Sequence, residues 1–168
     1  MERRENLDAN LLSEVSYKED ESKEFDAEMR SGECLSVRQR NVSLETKTEM
    51  LYSSWCVPCH TILIHTPEGT YQLFHVQPDS SGPTNLSFDQ EKALKRLKTR
   101  GAEAFVAKGN RSWFAVSDER ELERCGVSLT RTTHVDTDNW WRLLYNPASN
   151  EIWIDIRDKK LLRKYKGF

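Results

Sequence analysis

The run Thr61-Ile62-Leu63-Ile64-His65-Thr66 is β-branched almost throughout, is closed by Pro67-Glu68-Gly69, and is followed by Thr70-Tyr71-Gln72-Leu73-Phe74-His75-Val76. Residues of that kind around a Pro/Gly turn predict two antiparallel strands. The hairpin constrains the chemistry of the segment just before it, Trp55-Cys56-Val57-Pro58-Cys59. A Cys-x-x-Cys pair gains a reactive thiolate when its first sulfur caps a helix. A strand after Cys59 withholds that helix, and the returning strand brings His75 back beside the cysteine that opens the first one, the arrangement a thiol nucleophile and its base need.

At 168 residues the chain fits one domain with its own core. Hydrophobic residues make up 37% and charged residues 31%, a globular composition. The net charge of −2 indicates no nucleic-acid partner, and the C-terminal cations Arg157, Lys159, Lys160, Arg163, Lys164 and Lys166 read as a solvated helix end. No apolar run approaches the ~20 residues of a membrane span, and Met1 to Glu5 lead into no signal-peptide core. A cytoplasmic protein, or one delivered to a host cell without a cleaved signal, is the expectation. Cys34, Cys56, Cys59 and Cys125 are then expected as reduced thiols.

Residues 1–33 are rich in Glu, Asp, Lys and Ser, and read as an acidic, flexible extension with a short helix around Leu7, Leu11, Leu12 and Val15. From Cys34 the pattern alternates (Leu35, Val37, Val42, Leu44), predicting one or two strands. Ser87 and Gln90 have capping-box spacing and open a helix predicted over 87–100, with Ala93, Leu94 and Leu97 as its apolar stripe. A strand over 104–107, a helix capped by Ser117 and ending at Gly126, and strands over 127–129, 140–145 and 152–156 complete the reading. The expected fold is α+β: a single domain over 34–168 with a β-sandwich-like mixed-sheet core and two or three flanking helices.

In this order the motifs Leu51-Tyr52-Ser53, Cys59-His60-Thr61-Ile62-Leu63-Ile64-His65-Thr66-Pro67 and Phe74-His75-Val76-Gln77-Pro78 resemble the chemoreceptor glutamine deamidase family and the catalytic domains of cytotoxic necrotizing factor-type toxins. That family has a Thr or Ser six residues before a nucleophilic cysteine, and a histidine on the following strand. Weaker similarities follow at Gly101-Ala102, at Lys108-Gly109 and at Val135 to Arg142, so the likeness spans roughly residues 34–156. The family's Gly-Ser before the cysteine is Val57-Pro58 here, and Pro58 has no backbone N–H to offer an oxyanion.

The resemblance implies a protein-glutamine deamidase with no cofactor and no metal, acting on a protein that presents an exposed glutamine. It implies Cys59 as nucleophile, His75 as base and Ser53 as the residue orienting His75 or the substrate amide; Cys56, only three residues from Ser53, is the second choice of nucleophile on its own position before the strand. His60 is expected on the opposite strand face in a surface role, His65 and His134 as solvated side chains, and Cys34 and Cys125 as core-facing or incidental thiols. Trp113, Trp140, Trp141 and Trp153 read as core and site wall. Two other classes compete: a thioredoxin-like oxidoreductase using Cys56 and Cys59, and a non-catalytic binding module, either a structural zinc site from Cys56, Cys59, His75 and Cys125 or a catalytically dead scaffold. The oligomeric state is left open.

Overall fold

Strands β4 (His60–His65) and β5 (Tyr71–Val76) form the expected hairpin, paired antiparallel with His60 opposite Val76 and His65 opposite Tyr71. Gly69 turns it at φ +82°, a backbone state that glycine adopts without a Cβ clash. These strands belong to a computed structural model that describes residues 10–54, 56–79 and 82–168. The other strands are β1 (Leu11–Ser16), β2 (Cys34–Ser36), β3 (Met50–Ser53), β6 (Glu103–Lys108), β7 (Ser128–His134), β8 (Trp141–Asn146), β9 (Glu151–Ile156) and β10 (Leu161–Lys166). The helices are α1 (Lys23–Met29), α2 (Phe88–Arg96) and α3 (Ala115–Arg124).

The small sheet has the order β5-β4-β6-β7 and the large one β1-β10-β9-β8-β3-β2. Both are mixed, because β6–β7 and β2–β3 run parallel and the other pairs antiparallel. Their facing sides close on one core, in which Leu63, Leu73 and Phe105 of the small sheet meet Leu51, Leu143 and Ile154 of the large one. Alternation then decides the outer faces. Ile62, Ile64, Phe74 and Val76 point the other way and are covered by Leu94 and Leu97 of the α2 segment and Leu122 of α3. Ser87 caps α2 in a complete capping box with Gln90. On the far side of the large sheet, Phe25 of α1 packs on Leu144, Trp153 and Leu162. The fold is the expected α+β sandwich with flanking helices.

Several local expectations are overturned. Leu11, Leu12 and Val15 lie in strand β1, which pairs with β10, and Leu7 falls outside the described residues. Within the segment read as an extension, β1 pairs with β10, and Phe25 of α1 is fully buried on the large sheet. The C-terminal cations extend no helix. After a single 3₁₀ turn over Arg157–Lys159 they enter β10, hydrogen-bonded on both edges by β9 and β1. Tyr165 of this strand faces the inner core while Lys164 reaches Glu24 and lies 4.1 Å over the Trp153 ring. Ser117 lies inside α3, which begins at Ala115. The tryptophans also divide: Trp141 is buried between the sheets, Trp153 is buried on the outer face, and Trp113 is 81% exposed.

The β3 and β5 C-termini, the β4 N-terminus, the β6 C-terminus and the β8 N-terminus meet at one end of the sandwich. The candidate site residues lie there.

Candidate active site

Ser53 is the last residue of β3, opposite Leu143, and its side chain points between the sheets. Its Oγ lies 2.7 Å from the Val37 carbonyl oxygen and 2.7 Å from His75 Nδ1. The hydroxyl has one proton, which goes to the carbonyl, so Oγ accepts from Nδ1–H. That contact selects the His75 tautomer and leaves Nε2 with a lone pair. Nε2 is buried and has no hydrogen-bond partner among the described residues. Burial first, and the neighbouring His60 second, push the His75 pKa down to about 4, so the imidazole is neutral near neutral pH.

The backbone of His75 is held as tightly as its ring. Its N–H donates to the Asn41 carbonyl at 3.1 Å, and its carbonyl accepts from Arg40 N–H at 2.9 Å and from Gln90 Nε2 at 2.8 Å. Gln90 is fully buried and uses its Oε1 to accept from Ser87 N–H. The capping-box residue legible in the sequence therefore also anchors the imidazole strand, a second role with no local signal.

Thr61 stands directly opposite His75. Cys59, two residues earlier, continues onto the same face, diagonal to His75, and its carbonyl still accepts from Gly109 N–H at 3.4 Å as an extension of the β4–β6 ladder. Its Sγ lies 3.8 Å from the Val57 carbonyl oxygen. Burial pushes this thiol up to about 11, opposed by a Gln77 hydrogen bond. Cys56 lies deeper: its N–H donates to the Trp141 carbonyl at 3.2 Å. Burial, then the neighbouring Cys59, raise its thiol well above the usual range, and a hydrogen bond with Ser53 opposes them. The structure thus joins Ser53 to His75, sets Cys56 against Ser53 and Cys59 on the His75 face, and leaves Nε2 engaged by neither sulfur. Trp55 lies outside the described residues.

No protein-family model matches this chain. No curated protein matches it in sequence either.

His60 does face away from Cys59, but into the core under α3 and not to the surface. It is 1% exposed, rests against the Phe114 ring, and has Nε2 3.1 Å from Asp118 Oδ2, out of line for a hydrogen bond. Asp118 is held by Asn85, whose backbone N–H and Nδ2 donate to it at 2.8 and 3.1 Å. His65 is also no simple solvated side chain, since it stacks on Phe168 and lies 3.2 Å from Glu103. Cys125 packs under the helices, on the opposite side of the small sheet from Cys56, so the four ligands of the zinc alternative do not converge. Among the described residues no three His, Cys, Asp or Glu side chains form a metal-holding group. Beside Ser53, the segment 36–41 with Tyr52 and Ser54 walls a groove of about 750 Å³. On the other side of the cysteine loop, Val57, Pro58, Gly109 and Trp141 line a narrow cleft.

Proposed function

We propose that this chain is a cysteine hydrolase that converts a glutamine side chain of another protein to glutamate, with Cys59 as nucleophile, His75 as base and Ser53 fixing the His75 tautomer. One observation carries the reading: Ser53 Oγ accepts from His75 Nδ1–H, so an Nε2 lone pair with no hydrogen-bond partner among the described residues is presented on the face that Cys59 occupies. A general base held in one tautomer by a second side chain is what an activated thiol requires.

In the reaction, Nε2 removes the Cys59 proton as Sγ bonds the amide carbon. The tetrahedral intermediate collapses with cleavage of the C–N bond, and His75 returns the proton to the departing ammonia. Water, deprotonated by the same Nε2, then hydrolyses the thioester and frees the thiol. Burial keeps both partners neutral at rest. The thiolate and imidazolium form only once Cys59 turns from the Val57 carbonyl toward Nε2, with substrate in the groove beside Ser53. The glutamine assignment rests on the resemblance of the Ser53, Cys59 and His75 segments to the deamidase family.

The test is deamidation across a protein mixture, read by mass spectrometry as amide-to-acid conversion at glutamine. Wild type and Cys56→Ser are expected to convert glutamine, and Cys59→Ser and His75→Gln to lose conversion. Loss with Cys56→Ser and retention with Cys59→Ser would move the nucleophile to Cys56. A second reading, thiol–disulfide exchange, is favoured by the two-residue spacing of Cys56 and Cys59, both free thiols. It is opposed by strand β4, which follows Cys59 where a redox site has a helix. Reduction of insulin by the wild-type protein would support that alternative.

A further inference from the structure

We infer that the side-chain amide of Gln77 is an oxyanion donor of this site, in place of the backbone N–H that Pro58 lacks; the inference rests on the cysteine-hydrolase reading above. The first observation is register. The β4–β5 ladder ends with His60 opposite Val76, so the next position along it sets Cys59 opposite Gln77. A period of two then puts Gln77 on the face of His75, directly across from the nucleophile. The second observation is a contact. The Gln77 side chain hydrogen-bonds the Cys59 thiol in the sense that favours the thiolate, so the amide turns its N–H, and not its oxygen, to the sulfur. The Cys59 N–H favours the thiolate in the same way and supplies a second donor at that sulfur.

Gln77 also lies on the groove side of Cys59. The groove wall, segment 36–41, runs along the outer edge of β5, where the Asn41 carbonyl accepts from His75 N–H and Arg40 N–H donates to the His75 carbonyl. The order across this end is therefore groove wall, β5, β4, β6, and a glutamine reaching Cys59 from the groove crosses β5 at Gln77. The strand end that carries Gln77 is fixed on both sides. His75 is tied to the wall, and two residues beyond Gln77 the Asp79 N–H donates to Asn85 Oδ1 at 2.9 Å. The Asp79 carboxylate lies 3.1 Å from the Arg40 guanidinium, which offsets its charge. Pro78, between them, locks its own φ. Gln77 is half-buried, and a donor on a fixed strand end beside the nucleophile is the preorganised element that acyl transfer requires.

In the step concerned, the Cys59 proton passes to His75 Nε2 as the S–C bond forms, and the carbonyl π pair moves onto oxygen. The sulfur, now bonded to carbon, gives up its hydrogen bond, and Gln77 Nε2–H donates to the new oxyanion instead. The pair then returns, the C–N bond breaks and ammonia leaves with the His75 proton. The Gln77 amide is unchanged through the cycle.

The experiment separates charge on oxygen from charge on sulfur. Gln77→Met keeps the length of the side chain and removes the N–H. On a glutamine peptide that wild type converts, it is expected to lower kcat by about 10²- to 10³-fold with KM little changed. Alkylation of Cys59 by iodoacetamide forms no oxyanion and loses only the bond to sulfur, so it is expected to slow by about tenfold at most. In protein labelled with ¹⁵N-glutamine, a peptide aldehyde that replaces the glutamine amide forms a thiohemiacetal at Cys59. The Gln77 amide resonance is expected to move downfield with the adduct in wild type and to stay in place in Cys59→Ser. A folded Gln77→Met with wild-type kcat overturns the inference, and so does an equal loss in turnover and in alkylation, which would confine Gln77 to the thiol. An adduct on wild type that leaves the Gln77 resonance unmoved also overturns it, and needs no variant to fold. Wild type that neither turns over nor forms the adduct removes the hydrolase reading and this inference together.

Discussion

Lowering the pH from 6.5 to 4 is expected to destabilise this fold through one buried imidazole. The folded state takes up the His75 proton only near pH 4, against 6.5 for an ordinary histidine, because burial and the nearby His60 disfavour the charged ring. Between those values the unfolded chain binds more protons than the folded one, so stability falls as pH falls. The contribution is fully present above pH 6.5 and is lost down to the folded value. A gap of that size corresponds to about 3 kcal/mol. His75 is fully buried, so solvent screening removes little of it. The assay is urea denaturation of wild type and His75→Gln at several pH values between 7 and 4. Carboxylate protonation is common to both proteins and cancels in the comparison, so the wild-type free energy should fall about 3 kcal/mol further than the variant's. Parallel curves for the two proteins would refute the burial argument and, with it, the assignment of a neutral resting imidazole.

Other outcomes follow from the same geometry. With its thiol pushed up to about 11, Cys59 should react with iodoacetamide at pH 7 roughly a hundredfold more slowly than an exposed cysteine. Rapid labelling at neutral pH, located by mass spectrometry, would contradict this. Ser53→Ala removes the acceptor of Nδ1–H and should cost about 1–3 kcal/mol in urea unfolding; an unchanged midpoint would show that the contact does not hold the ring. Arg142 is 6% exposed and donates to Asp155 and Asp26, each at 2.8 Å, with its guanidinium 4.1 Å over the Phe25 ring. Arg142→Ala leaves the fully buried Asp155 with the Tyr17 hydroxyl as donor but without its cation, and is expected to lose about 3–5 kcal/mol. A loss below about 1 kcal/mol would mean that the α1 layer is not fastened through this residue.

The site was partly legible in the chain, and the reason is periodicity. A period of two places Cys59 and His75 on one face and His60 on the other, and the structure keeps that division. It says nothing about what covers the second face, which is why His60 was expected at the surface and is instead buried against Asp118 and Phe114. Strands β1 and β10 were missed for a related reason. In each the apolar residues break strict alternation with adjacent leucines, and β1 finds its partner β10 far along the chain.

The amino-acid sequence by itself determined the local elements: the hairpin turned at Gly69, the Ser87–Gln90 cap, and the alternation that sorts each strand into two faces. These depend on dihedral preferences and on hydrogen bonds only a few residues apart. Only the tertiary structure decided which faces meet. It brought Ser53 from the large sheet to His75 of the small one, turned the amide of Gln90 onto the His75 carbonyl, and set the Trp141 indole against Gly109 and the cysteine loop. Those contacts depend on how two sheets stack over a shared core, and no short-range pattern in a chain encodes that.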